Sequence, residues 1–218
     1  MRRIIVSSFL SMDGVLQAPG GPHEDPTNNF RYGGWSFPHW DDVMNEAMGK
    51  IMSAPYDLLL GHFTYDIFAA YWPYQNDAIG EAFNRITKYV VATKPVDLSW
   101  QNSVLISGDV VGELKKLKAQ DGSDLLVNGS GKLIQTLLQH HLVDELHTWI
   151  FPVTLGRGKK LFEGGTQAQE WQLTGSVVST TGVLIASYVP KGEVRTGSFV
   201  ADEVSERETA RREKIKGL

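Results

Sequence analysis

Residues 124–162 read DLLVNGSGKLIQTLLQHHLVDELHTWIFPVTLGRGKKLF. Leu125-Leu126-Val127 is a short apolar run of the kind that forms a buried strand. Asn128-Gly129-Ser130-Gly131 turns the chain. Leu133, Ile134, Leu137, Leu138 and Leu142 then recur at three- and four-residue steps, as on one face of a helix. After Val143-Asp144-Glu145 a second strand is expected from Leu146 to Val153. Strand, glycine turn, helix and strand compose the βαβ unit of a parallel sheet, which sets the fold class as α/β.

The chemistry of that unit lies at its turn. Gly129 and Gly131 let a ligand approach the backbone with no Cβ in the way. The helix behind them begins with unpaired N–H groups and a partial positive charge, which suit a phosphate. Ser130 can cap the helix or donate to a phosphate oxygen, and Lys132 adds a full charge. A plain strand–helix junction needs the same small residues, and the pattern is neither a P-loop nor a full G-x-G-x-x-G.

Working outward, Arg3 to Leu10 reads as a strand, and Ser11-Met12-Asp13-Gly14-Val15 turns the chain at its end. Asp13 is either a hairpin-turn residue or a carboxylate at the mouth of a site. Residues 17–39 are rich in Gly and Pro and hold Phe30, Tyr32, Trp35 and Phe37. Such a loop either closes over something flat or plugs the edge of the core with its rings. A helix follows over Trp40–Met52, with Asp41 and Asp42 in its first turn. There carboxylates suit the helix dipole, or one of them holds a substrate ring nitrogen.

Tyr56–Leu60 is a second core strand that leaves through Gly61-His62-Phe63-Thr64-Tyr65 into a helix. Lys88–Ala92 is a third, exiting at Thr93-Lys94-Pro95, and Val104–Ser107 is a fourth, followed by a helix over Val110–Leu117. Three strands thus end in Gly61-His62, Thr93-Lys94 and Gly129-Ser130-Gly131. Ligands of open parallel sheets bind beyond the carboxyl ends of the strands, so these turns are expected to share one crevice. The alternating glycines and cations of Gly156-Arg157-Gly158-Lys159-Lys160 read as a solvated basic rim. Trp171–Ser179 and Val183–Val189 alternate like strands of an antiparallel hairpin at the sheet edge. From Lys191 the chain holds seven basic and six acidic residues with almost no apolar face. The organisation expected is one domain over 1–190 and a charged tail over 191–218, with Glu203–Arg207 and Glu208–Arg212 spaced i, i+4 on a helix.

Bulk composition narrows the function classes. A net charge of −4 speaks against a general nucleic-acid binder. No apolar run is long enough for a membrane span, and the first residues lack a cleavage-type site, so a cytoplasmic protein is expected. The absence of cysteine excludes disulfides, thiolate catalysis and cysteine metal sites. His140, His141 and His147 do not form an H-E-x-x-H pattern, and no metal site is assigned.

Ser11–Val15, Leu60–Tyr65, Lys88–Lys94, Val127–Leu133, Leu142–His147 and Pro152–Phe162, in this order, resemble the dihydrofolate-reductase-like superfamily. The resemblance is to the bacterial branch that includes the C-terminal reductase domain of bifunctional riboflavin-biosynthesis proteins. It implies a three-layer fold: a central, mostly parallel sheet with an antiparallel C-terminal edge and helices on both faces. It also implies a homodimer and NADPH bound across the crevice. By that resemblance Gly129, Ser130, Gly131, Lys132 and Leu133 take the pyrophosphate, with Gly61, His62 and Thr64 in the second turn. Thr93 and Lys94 lie by the adenosine 2′-phosphate. The family's second turn often carries arginine where this chain has His62, so NADH stands beside NADPH as a cofactor to test. The activity implied is hydride transfer to a small, flat heterocycle of pteridine, pyrimidine or flavin-precursor type. Asp13, Asp41 and Asp42, or an ordered water, are candidates to supply the proton. A module of the same fold that holds a nucleotide or flat ligand without turnover is the alternative.

Overall fold

The computed structural model describes residues 1–163, 166–199 and 204–216. In chain order its elements are β1 (Ile4–Ser11), α1 (Asp42–Ile51), β2 (Tyr56–Gly61), α2 (His62–Tyr71), α3 (Ala78–Arg85) and β3 (Lys88–Val91). There follow β4 (Ser103–Ile106), α4 (Val110–Ala119), β5 (Asp124–Val127), α5 (Gly131–Gln139) and β6 (Glu145–Phe151). The chain ends with β7 (Glu170–Val178), β8 (Leu184–Gly192) and α6 (Glu206–Lys216).

The strands form one 8-stranded sheet in the order β4-β3-β2-β5-β1-β6-β8-β7. Pairings from β4 to β6 are parallel, and β8 and β7 add the antiparallel edge. The expected βαβ unit is present, with β5 and β6 both paired to β1. Its second strand stops at Phe151, short of Val153, because Pro152 has no N–H for the ladder.

Period-two alternation divides the core between the two faces of the sheet. Ile4, Val6, Leu59, Leu125 and Val127 pack with Leu133, Ile134, Leu137 and Leu138 of α5 and with Leu114 and Leu117 of α4. Their neighbours Ile5, Leu58, Leu60 and Leu126 pack on the other face against Tyr65 of α2 and Phe83 of α3. Toward α1 that face continues through Met44, Trp149, Phe151 and Ile185. Crossovers that step toward β4 therefore carry α1, α2 and α3 on one face. Those that step toward β6 carry α4 and α5 on the other, as a single hand of crossover requires. The change of face falls between β2 and β5.

The loop over residues 17–39 is ordered, and its rings divide. Phe30 and Trp35 are buried in the core beside α1, whereas Tyr32 and Phe37 face solvent. Trp35 donates its indole N–H to the Gln17 carbonyl (2.8 Å) and meets Phe151 edge-on. At the other end of the chain, Lys191 and Arg195 both pair with Glu170 of β7. In α6, Glu208 binds Arg211 and Arg212, while the Glu203 partner expected for Arg207 lies outside the described residues.

Cations are used inside the fold as well. Arg2 is buried at the foot of the sheet, where it pairs with Asp57 and donates to Ser123 O (2.6 Å) and the Tyr89 hydroxyl (3.0 Å), joining β1 to β2 and β3. Lys88 is wholly buried. Its Nζ donates to the carbonyls of Phe83 and Ile86, both at 2.9 Å, and sits 4.4 Å from the centre of the Trp100 ring. It thereby satisfies carbonyls left open at the C-terminus of α3.

Burial lowers the Lys88 pKa from 10.5 to about 8, against the opposing field of Asp57. Between those values the unfolded chain holds more of this proton than the native state, so the site's contribution to stability rises with pH. The unfolding free energy of the wild type, measured in urea against Lys88→Met, is expected to gain on the variant between about pH 7.5 and pH 10. A pH-independent difference would contradict this.

Candidate active site

Helix N-termini in this molecule fall into two kinds. Asp41, Asp77 and Asp109 cap α1, α3 and α4 through side-chain carboxylates. Ser205 accepts from Glu208 N at the start of α6. The N-caps of α2 and α5 are Gly61 and Ser130, and neither supplies a side-chain bond to its helix. Their first N–H groups, with the positive ends of their dipoles, are left for another acceptor.

These two ends meet. α2 leaves β2 on one face, α5 leaves β5 on the other, and β2 and β5 are adjacent. Gly61 N donates to Gly129 O at 3.2 Å. A Cβ at Gly61 would overlap the Ser130 hydroxyl, and one at Gly129 would stand 2.6 Å from the Thr64 hydroxyl. Gly129 also has φ +152°, where a side chain is strained. The glycines thus let the turns interlock, with the hydroxyls of Ser130 and Thr64 between them. The Gly129–Ser130 peptide is cis.

The expected cofactor residues are placed as follows. Gly61, His62, Thr64, Gly129, Ser130 and Gly131 gather at this switch point, and Lys132 is exposed beside them in the first turn of α5. Leu133 is buried in the core, so only its backbone N–H faces the helix end. Thr93 and Lys94 are exposed just past the end of β3, the neighbour of β2. His62 sits 3.0 Å from Asp66 on its own helix, so its ring is engaged by a carboxylate. From the β1 side, Leu16 reaches within 3.3 Å of where a Cβ on Gly131 would lie.

The aspartates are spread apart and carry structural bonds. Asp13 accepts from the Ser11 hydroxyl (2.6 Å) and from the amides of Leu155 (3.0 Å) and Gly156 (2.8 Å). The Ser11 hydroxyl, joined by those amides, holds its carboxyl at about 2 against a smaller effect of burial. Asp41 caps α1 through Met44 N (2.9 Å) and binds the amide and hydroxyl of Thr180, both at 2.7 Å, in the β7–β8 turn. The Thr180 hydroxyl keeps it below the ordinary carboxylate range. Asp42 is exposed and accepts only a long bond from Asn45 (3.4 Å).

Sequence reasoning missed two groups near the crevice. Lys159, expected on a solvated rim, pairs with the buried Asp25 (2.5 Å) and stands 5.1 Å from the centre of the Phe63 ring at the start of α2. Gln17 is buried, accepts from Lys159 N (3.0 Å) and donates to Asp25 O (3.0 Å). The loop over residues 17–39 is thereby tied to the 156–160 segment and, through Phe63, to α2. A group of rings also packs between the sheet and the start of α1, with Trp40 at its exposed edge. Trp40 lies parallel to Trp149 at 6.1 Å, with Phe9 5.8 Å from Trp40. The chain order of these aromatics carries no signal of that group, because β1, β6 and the start of α1 supply one ring each.

The eight-stranded, mostly parallel sheet with its antiparallel edge and flanking helices is a dihydrofolate-reductase-like fold. The family model described as RibD C-terminal domain matches residues 2–185, and the chain belongs to that family. It is 25% identical over 192 residues to the uncharacterized protein YyaP of Bacillus subtilis (strain 168), covering 86% of this chain and 94% of the relative. Among solved structures, a pyrimidine reductase-like protein from Corynebacterium diphtheriae superposes with TM-score 0.62 at 11% identity, over 88% of this chain and 93% of that one. Dihydrofolate reductase from Enterococcus faecalis, complexed with NADP(H), gives TM-score 0.54 at 14% identity, over 86% and 96%.

Asp13 bears on acid stability. Its contribution is complete above the ordinary carboxylate pKa of 3.8 and is lost as pH falls through about 2. Asp13→Asn is expected to cost about 1–2 kcal/mol at neutral pH. Thermal melts should show that gap closing as pH approaches about 2; a gap that persists there would assign the loss to packing.

Proposed function

We propose that this protein is a reductase that binds NADPH along the switch-point crevice and transfers hydride to a small, flat heterocycle. The observation that carries the reading is the meeting of two helix N-termini without side-chain caps at Gly61 and Gly129–Ser130, while the other described helices are capped. Diphosphate fits there: it takes up the free N–H groups and the two dipoles, and glycines keep the approach clear. Ser130 and Thr64 are placed to donate to its oxygens, and Lys132 to neutralise charge. Lys94 is the permanent cation available past β3 for a 2′-phosphate, since Asp66 already engages His62. A bound nicotinamide would supply the hydride. The chain's part is to hold the rings and exclude water. Met12, two-thirds exposed at the end of β1, and Trp40, backed by the buried Trp149, offer apolar surface for flat partners.

The proton is proposed to come from water. Asp13 and Asp41 are ionised at neutral pH and hold the β6–β7 segment and the β7–β8 turn in place, and Asp42 faces solvent. Their assigned work is to position the mouth of the site.

Titration with NADPH and then NADH, followed by quenching of tryptophan fluorescence, tests the cofactor. Saturable NADPH binding in the micromolar range is expected, on the order of −8 kcal/mol. Lys94→Ala should weaken NADPH far more than NADH; equal weakening removes Lys94 from the 2′-phosphate. Gly61→Ala, which drives a Cβ into Ser130, should weaken both cofactors by on the order of tenfold. Binding without cofactor oxidation across pteridine, pyrimidine and flavin-precursor substrates would transfer the reading to the non-catalytic module. Binding of neither cofactor would overturn it.

A further inference from the structure

A cavity lies at the other end of the sheet. It has a volume of about 590 Å³ and opens at the N-terminal ends of β1, β5 and β6, between the C-terminal half of α1 and strand β7. Asp124 lines it, whereas Gly129 belongs to the crevice; five residues of extended chain separate the two by roughly 16 Å. Ile5, Leu126 and Ile185 form its floor, and Ala47, Ile51 and Val177 its apolar walls. A space of this size and lining matches a small-molecule site of about 300–1,000 Å³.

The polar groups of the cavity separate into satisfied and free. Arg3 binds both Asp124 (2.5 Å) and Glu145 (3.2 Å). The other Glu145 oxygen faces His147 Nε2 (3.1 Å), whose Nδ1 meets the Ser187 hydroxyl (2.7 Å). Burial holds His147 below its ordinary pKa against the pull of Glu145, so it adds no lasting positive charge. This network is closed and keeps one net negative charge, which the Lys50 ammonium at the rim offsets. Lys50 and Tyr56 have no partner for the ammonium or the phenol among the described residues. Burial pushes the Tyr56 pKa up to about 12, so its hydroxyl stays a donor. The unspent chemistry is therefore one cation and one hydroxyl at the edge of an apolar trough.

We infer that this groove is a second ligand site, for a small organic anion with an apolar, preferably aromatic, body. The acid group would pair with Lys50 and accept from Tyr56, and the body would lie on Ile5, Leu126 and Ile185. An anion is favoured over a cation because all four oxygens of Asp124 and Glu145 are already engaged by Arg3 or His147, whereas Lys50 and Tyr56 hold free donors. Gly175 keeps the β7 wall open: a Cβ there meets nothing within 4 Å, and its φ is not in the left-handed region. A side chain at Gly175 would therefore enter the groove without disturbing the core.

The test uses the whole chain and the dye 8-anilinonaphthalene-1-sulfonate, an aromatic sulfonate whose emission rises in apolar surroundings. One saturable site per chain is expected. Gly175→Trp should abolish it, and Lys50→Glu should weaken it on the order of tenfold. Lys132→Glu, at the cofactor crevice, should leave it unchanged, with thermal melts confirming that each variant is folded. Retention in both groove variants, loss in Lys132→Glu, or no saturable binding would overturn the assignment. So would dye binding that falls with protein concentration in step with dimerisation measured by sedimentation, which would give the groove to a second copy of the chain.

Discussion

A single main-chain hydrogen bond, from Gly61 N to Gly129 O at 3.2 Å, joins the turns on which the crevice depends. It forms only where β2 and β5 lie side by side and their helices leave on opposite faces. Side chains larger than hydrogen would part the turns at both glycines. The apolar alternation that assigns Leu58, Leu60 and Leu126 to one face and Leu59, Leu125 and Val127 to the other is what sets those strands side by side. Packing of the core and geometry of the crevice are thus consequences of the same pattern.

Electrostatics then distinguishes the two ends of the sheet. At the crevice the protein leaves helix dipoles without side-chain caps and exposed lysines beside them. At the foot it closes its charges on one another: Arg2 with Asp57, and Arg3 with Asp124 and Glu145. Buried charges are retained when paired and hydrogen-bonded, because an unpaired one is costly to desolvate. Free helix N–H groups therefore gather at one end of the sheet, while at the foot Lys50 stands without a partner among the described residues.

Much of the fold was legible because its signals are local. The β5–α5–β6 stretch announces itself by its apolar spacing and its glycines, and the C-terminal hairpin by alternation about Thr180-Thr181-Gly182. Of the three strand-end turns expected to share a crevice, those at Gly61 and Gly129–Ser130 interlock, and Thr93-Lys94 lies past the neighbouring strand. The work of the aspartates was not legible, because their partners are remote in sequence. Leu155 lies 142 residues from Asp13, and Thr180 lies 139 residues from Asp41. The same holds for Lys159, whose carboxylate partner is 134 residues away. A charge beside glycines reads as a solvated rim until the fold brings a buried acid to it. In the loop over residues 17–39, Phe30 and Trp35 fill the core, which is one of the two roles open to it, while Tyr32 and Phe37 remain outside.

Lys159 touches three parts of the molecule at once: Asp25 in the long loop, Phe63 at the start of α2, and Gln17 through its own backbone amide. In evolutionary terms these positions are expected to change together. A lineage that loses the acid at position 25 strands the cation at 159, and one that loses the cation leaves a buried carboxylate without its counter-charge. Paired changes, or neutral replacements of both partners, are the substitutions expected here. Descendants that have remodelled the long loop should then carry the record of it in the distant segment after β6, even where the loop itself can no longer be aligned.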